Sequence, residues 1–223
     1  MRFVMKCPRC VQKIHRGAES CPHCGFCLSI CDEEFGSDEV SVKMLTDAAG
    51  LLRNKERGKV QDAINHFCQR FPQLFFAVYT GSFRESAKLR QFGFWLLNHG
   101  AFEDVPLERP NAAGIILVMD VEGKAAGLTY GYLLDPYLDE EDTFTCLSKA
   151  HPYWIERRSA EGIIVVLRTM EKLLIRKSRH AKSDPERYER KVSPPPQVGD
   201  LVKRIRSGHS LGRVKEDEKE VER

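Results

Sequence analysis

Apolar residues recur every three or four positions over 55–71, at Val60, Ile64, Phe67 and Phe71. That period predicts a helix with one buried stripe, and Pro72 ends it. Leu74 to Thr80 is apolar, rich in β-formers and closed by Gly81, the pattern of a strand. A second helical period covers 84–98, with Leu89, Phe92 and Trp95 on one face. Trp95 is expected to lie between this helix and the sheet. Residues 113–119 read as a buried strand, and the Glu122-Gly123 turn predicts that 124–132 folds back on it as a hairpin. A third helix is expected over 139–150, its acidic start suited to the positive end of a helix dipole. A fourth is expected from 160 to about 179, with Ile163, Leu167, Met170 and Leu174 inward and Arg176, Lys177 and Arg179 near its C-terminal end. Strands alternating with helices predict a layered α/β domain over 41–180.

The first 31 residues follow another pattern. Cys7-Pro8-Arg9-Cys10 and Cys21-Pro22-His23-Cys24-Gly25 are two knuckles of one type. A two-residue gap lets one tight turn aim two thiolates at one ion, and two such turns supply the four soft ligands of tetrahedral zinc. Gly25 suits the positive φ that such a turn needs. Residues 11–20 are long enough for a small hairpin between the knuckles. Four thiolates leave no open position for water, so the expected zinc ribbon, residues 1–31, is structural. His15 and His23 read as solvated or outer-sphere groups. Cys27 and Cys31 fall in an expected short helix, where they read as spectators; substitution for a knuckle cysteine, or a second metal, is the alternative. Cys68 and Cys146 read as core thiols.

Composition adds bounds. With 223 residues and 42% hydrophobic content, one main core plus a small module is expected. The longest apolar run, Ala112 to Met119, is far short of the roughly 20 residues of a membrane helix. No signal-peptide stretch precedes Cys7, so a cytoplasmic location without membrane contact is expected, where reduced thiols favour metal over disulfides. The net charge of +3 does not by itself imply a nucleic-acid partner. Residues 181–197, with Pro194, Pro195 and Pro196, read as a linker, and 198–223 as a flexible basic C-terminal tail with a potential short hairpin. A basic tail beside a zinc ribbon raises nucleic-acid binding, yet no aromatic residue interrupts those basic positions to stack on bases.

No phosphate-binding glycine loop, nucleophile elbow or H-E-x-x-H occurs. The middle of the chain resembles the TPM domain family over about 42–176. The stretches that carry the resemblance are Leu45-Thr46-Asp47-Ala48-Ala49-Gly50-Leu51-Leu52, like the family's opening strand and Asp-containing turn; Trp95 in Phe92-Gly93-Phe94-Trp95; Ala113-Gly114-Ile115-Ile116-Leu117-Val118, with Ala113 for the usual asparagine; and Gly131 to Glu140, with Leu133 for a second glycine. The resemblance implies a three-layer α/β/α sandwich. It also implies an acid-phosphatase-like activity or a Ca²⁺ or Mg²⁺ site in some members, and a role in assembly or repair of complexes in many. Asp47, Asp135 and Glu140 match the family's acidic positions, and carboxylate oxygens suit such cations. The competing reading makes Asp47 a cap and Asp135 and Glu140 turn and helix-start residues. The expected functions are therefore a zinc-ribbon adaptor with protein partners, a divalent-cation-dependent phosphatase, or nucleic-acid binding through ribbon and tail.

Overall fold

The computed structural model describes residues 4–15, 18–85 and 88–183. These residues lie in one compact unit, Met1–Lys191, whereas the linker prolines, the tail and its potential hairpin lie outside them.

The element order is β1 (Val4–Lys6), β2 (Lys13–His15), α1 (Leu28–Phe35), β3 (Val40–Val42), β4 (Leu45–Asp47), α2 (Asn54–Arg70), β5 (Phe75–Gly81), α3 (Leu89–His99), β6 (Gly100–Phe102), β7 (Gly114–Asp120), β8 (Ala125–Tyr130), α4 (Glu140–Ile155) and α5 (Ser159–Ser183). The main sheet runs β4-β5-β7-β8. Its first three strands are parallel, and β8 returns antiparallel to β7. A separate parallel pair joins β3 to β6.

Strand parity sorts the core into layers, because alternate side chains point to opposite faces. Phe76 meets Phe67 of α2 edge-on at 5.4 Å, whereas Tyr79 meets Phe92 of α3 at 5.0 Å. The same alternation in β7 turns Gly114 and Val118 toward α3, where Leu97 and Gly93 approach them. β7 is buried at every position, which explains its unbroken apolar run. α3, with α1 packed on it, covers one face of the sheet, and α2 and α5 cover the other, with α4 against α5 and the β8 edge. The chain is thus a three-layer α/β/α sandwich with a cysteine-rich module at its N-terminus.

α5 inserts Ile163, Val166, Leu167, Met170, Leu173 and Leu174 into the core, the period expected of it. Asp139 caps α4 by accepting the Asp142 N–H at 3.0 Å, and Asp142 accepts the Asp139 N–H at 3.2 Å. Lys177 of α5 pairs with Asp142 at 2.8 Å, tying the two helices together.

Four local expectations differ from the structure. α3 starts at Leu89, several residues after Arg84. α4 runs past Ala150 to Ile155, with Pro152 inside its last turns. α5 continues through Ser183, so residues 181–183 are helix rather than linker. Trp95 is buried, but its ring neighbours are Phe35 at 5.7 Å, Phe92 at 5.5 Å and a stacked His99 at 5.4 Å. Its indole N–H donates to the Gly36 carbonyl at 2.7 Å. The tryptophan therefore anchors α1 on α3. Its helix presents a different side to the sheet, where Gly93 sits so close to Thr129 that a Cβ would lie 2.6 Å from the hydroxyl.

Candidate metal centre

The two knuckles share one backbone pattern. Val11 N–H donates to the Cys7 carbonyl at 2.9 Å, and Gly25 N–H donates to that of Cys21 at 2.8 Å. Cys7 N–H donates to the Gln12 carbonyl at 3.0 Å, and Cys21 N–H donates to that of Phe26 at 2.7 Å. Each turn needs a left-handed residue at its close: Gly25 has φ 71° and Val11 has φ 64°. For Gly25 that conformation carries no steric cost, whereas for a β-branched residue it is strained. The hairpin also differs from expectation. β1, upstream of the first knuckle, pairs antiparallel with β2 beyond it, so the ribbon straddles Cys7 and Cys10.

The turns bring Cys7, Cys10, Cys21 and Cys24 together, with all four sulfurs within 4.8 Å of one another. Cys7 and Cys24 Sγ are 3.7 Å apart, and Cys10 and Cys21 Sγ are 3.6 Å apart. A tetrahedron with Zn–S near 2.3 Å has edges of about 3.8 Å. A disulfide would need about 2.05 Å. The cluster is therefore a reduced four-thiol group with the dimensions of a tetrahedral metal site. Burial pushes the Cys7 thiol up to about 12. At Cys21 the effect of burial is outweighed by backbone N–H groups of His23 and Cys24, which hold it down at about 6. Burial thus opposes ionisation of Cys7, and a bound divalent cation would favour the thiolate there.

The remaining cysteines stand apart from the group. Cys31 is buried, with its sulfur 3.9 Å from the Gln91 carbonyl of α3. Cys27 precedes α1 and lies 3.0 Å from the Ser29 hydroxyl. Cys68 packs on Met44, and Cys146 is fully buried, its thiol pushed up to about 12 by burial. His15 and His23 are exposed and outside the four-thiol group.

The ribbon rests on the sandwich. Phe26 meets Phe94 of α3 edge-on at 5.9 Å, and Phe35 meets Phe92 at 5.3 Å. His99 lies 3.3 Å from Asp32, and Lys88 lies 2.7 Å from Glu34. One buried apolar cluster contains Cys7, Ile14, Cys21 and Phe26 along with the strand residues of the main sheet. The buried residues of the two regions are thus continuous, so the small module expected beside the main core shares that core.

Asp47, Asp135 and Glu140 are not brought together. Asp47 ends β4 at one edge of the four-stranded sheet, and the other two follow β8 at the opposite edge. Three interstrand spacings, about 14 Å, separate those edges. Asp47 has no exposed side-chain surface. It accepts the N–H groups of Leu51 at 2.8 Å and Leu52 at 3.0 Å, the Thr80 hydroxyl, and Arg57 Nη2 at 2.9 Å. Burial acts to raise its pKa, but these donors outweigh burial and hold it below the usual carboxylate value. Asp47 thus caps the turn into α2. Glu140 opens α4 and pairs with Arg90 at 3.1 Å, and Asp135 closes a 3-10 turn over Tyr132–Leu134. Sequence reasoning missed Arg57, which lies ten residues from Asp47 and reaches it only because α2 runs back along the sheet.

No protein-family model and no curated protein matches the chain. Solved structures similar to it include the solution NMR structure of the N-terminal domain of a protein from P. gingivalis, 21% identical, with a TM-score of 0.45 over 59% of this chain and 82% of that one. Another is the N-terminal domain of protein cg2496 from Corynebacterium glutamicum, 14% identical, with a TM-score of 0.43 over 61% of this chain and 82% of that one. Among the described residues, no helix is long and apolar enough to cross a membrane.

Proposed function

We propose that the chain is a cytoplasmic, non-enzymatic adaptor in which a structural zinc ribbon is fused to a TPM-like domain and both present surfaces to protein partners. The observation that carries this reading is the closed set of four thiols, in a module whose Phe26 packs on α3. A zinc ion held by Cys7, Cys10, Cys21 and Cys24 has no position left for a substrate, so it supplies order. The stretches that suggested a TPM-like domain occupy successive elements: β4 with its Asp47 turn, α3 with Trp95, β7, and the turn from Gly131 into α4. Gly131 has a physical reason there, since a Cβ would lie 2.2 Å from the Ala112 carbonyl oxygen.

The phosphatase alternative needs carboxylates converging on one ion, and Asp47 is occupied as a cap. One experiment separates the two: thermal melts of wild type and Asp47→Ala with EDTA and with calcium, alongside hydrolysis of a generic phosphate ester. The adaptor reading expects no hydrolysis, no calcium stabilisation, and a lower melting point for Asp47→Ala under every condition. Phosphate-ester turnover lost in Asp47→Ala would overturn it.

A further inference from the structure

At the end of the sheet where β5 and β7 begin, a groove of about 1000 Å³ opens between the ends of α2 and α5, the 106–113 loop and the turn after β8. Its floor is apolar, with Phe71, Leu74, Leu134 and Leu174 among its lining. Its volume is at the upper end for a small-molecule pocket. Apolar side chains also stand outside it, Leu107 fully exposed and Tyr132 50% exposed, and Leu133 in its lining is 42% exposed. A ligand enclosed by the groove would leave Leu107 and Tyr132 bare, whereas an elongated segment lying across it would cover them.

Charge narrows the occupant. Arg109 lies in the 106–113 loop and Lys182 on α5, and the lining holds one acid, Glu108. A separate shallow depression on the outer side of α5 is formed by Lys172, Ile175, Arg176, Arg179 and His180, and Arg179 lies one turn before Lys182. Glu171 on α5 and Asp142 beside it already have cation partners. Glu171 pairs with Arg70 at 3.1 Å, and Asp142 pairs with Lys177 at 2.8 Å. Like charges four apart on a helix destabilise it, so Lys172 and Arg176 do not serve the helix by their mutual placement.

We propose that this groove, with Lys182 in its lining and Arg179 one turn away on α5, is the docking site for a partner's peptide segment that combines large apolar side chains with Asp and Glu. The apolar side chains enter the floor over Leu74 and Leu174, and the carboxylates meet Arg109, Lys182 and the nearby Arg179. The proposal rests on the adaptor reading and names the chemistry of one partner.

The test is selection of a phage-displayed 12-residue random peptide library on the full-length, metal-loaded chain. Synthetic copies of the enriched peptides are then titrated by fluorescence polarisation. The expected peptides pair Phe, Leu or Trp with Asp or Glu, and they bind at least tenfold more weakly to Leu133→Ser and to Lys182→Glu. Their affinity also falls as salt rises. Both substituted side chains are exposed, so the variants should fold, and an unchanged melting curve verifies this. Enriched peptides that bind both variants as well as wild type would overturn the groove assignment and leave the adaptor reading standing. Enrichment of no peptide would overturn both. Saturable binding of a 20-nucleotide single-stranded DNA or of phosphatidylglycerol vesicles, lost in Lys182→Glu with no acidic peptide enriched, would also overturn the proposal.

Discussion

Among the described side chains of residues 6–27, those buried are Cys7, Pro8, Ile14, Cys21 and Phe26, whereas β7 alone is buried along its whole length from Gly114 to Asp120. The sandwich excludes water from packed apolar strands and helices, which is the main source of stability in a domain of its size. The ribbon has two short strands and two turns, too little for an independent core. On the proposed reading, its order comes from an ion held by its four thiols and from the α3 surface it rests on. The two regions thus share a border and differ in what maintains them.

Metal removal should separate them most sharply. Structural zinc in small modules contributes about 10–16 kcal/mol of apparent binding free energy. A strong chelator should abolish amide protection at Cys7, Val11, Cys21 and Gly25 while leaving β5 and β7 protected, as read by hydrogen exchange. Because Phe26 and Phe35 pack on α3, protection of α3 should fall in part. A fully unchanged α3 would show that the cores are separate after all.

Trp95→Ala attacks the border itself. Truncating so large a buried side chain should cost about 3–5 kcal/mol. It should also loosen Phe35 and the Gly36 carbonyl, so zinc should become easier to extract. Urea denaturation combined with chelator competition reads both effects, and a loss of stability without easier extraction would place the tryptophan in the sandwich alone.

Asp47→Asn probes a polar device at the β4 edge of the main sheet. Replacing the carboxylate weakens its bonds to Leu51, Leu52, Thr80 and Arg57, at a cost of about 1–3 kcal/mol. The native pKa lies below that of the unfolded chain. Its stabilisation is therefore complete above the ordinary carboxylate value, about 3.9, and is lost as pH falls through the native value. The variant should lack this part of the acid limb in melts taken between neutral and low pH.

Val11→Gly should have the smallest effect and the opposite sign. A left-handed conformation costs an L-residue about 1–2 kcal/mol, and the added freedom of glycine in the unfolded chain offsets part of that. The ribbon should bind zinc a few-fold more tightly, with no change in the melting of the sandwich.

These contrasts also explain what the sequence could show. The helical periods of α2 and α5 and the β7–β8 hairpin were legible because each repeats over a long local stretch. The four thiols were legible because zinc demands a short, fixed spacing. The β3–β6 pair was not legible, since two three-residue strands meet across nearly sixty residues. The partner of Trp95 was hidden for the same reason, because Phe35 belongs to a different helix. The groove draws on segments from Phe71 to Lys182, and no window of sequence contains it. Asp47 was visible as an acid in a turn, but only the fold brings Arg57 and Thr80 to it.

The proposed function stands on four knuckle thiols holding one structural ion. Metal analysis of the purified full-length chain, with Cys21→Ser prepared in parallel, tests it most directly. About one zinc per wild-type chain is expected, and Cys21→Ser should lose that zinc together with ribbon amide protection. Full zinc retention in Cys21→Ser would contradict the four-ligand assignment and bring Cys27 or Cys31 into the site.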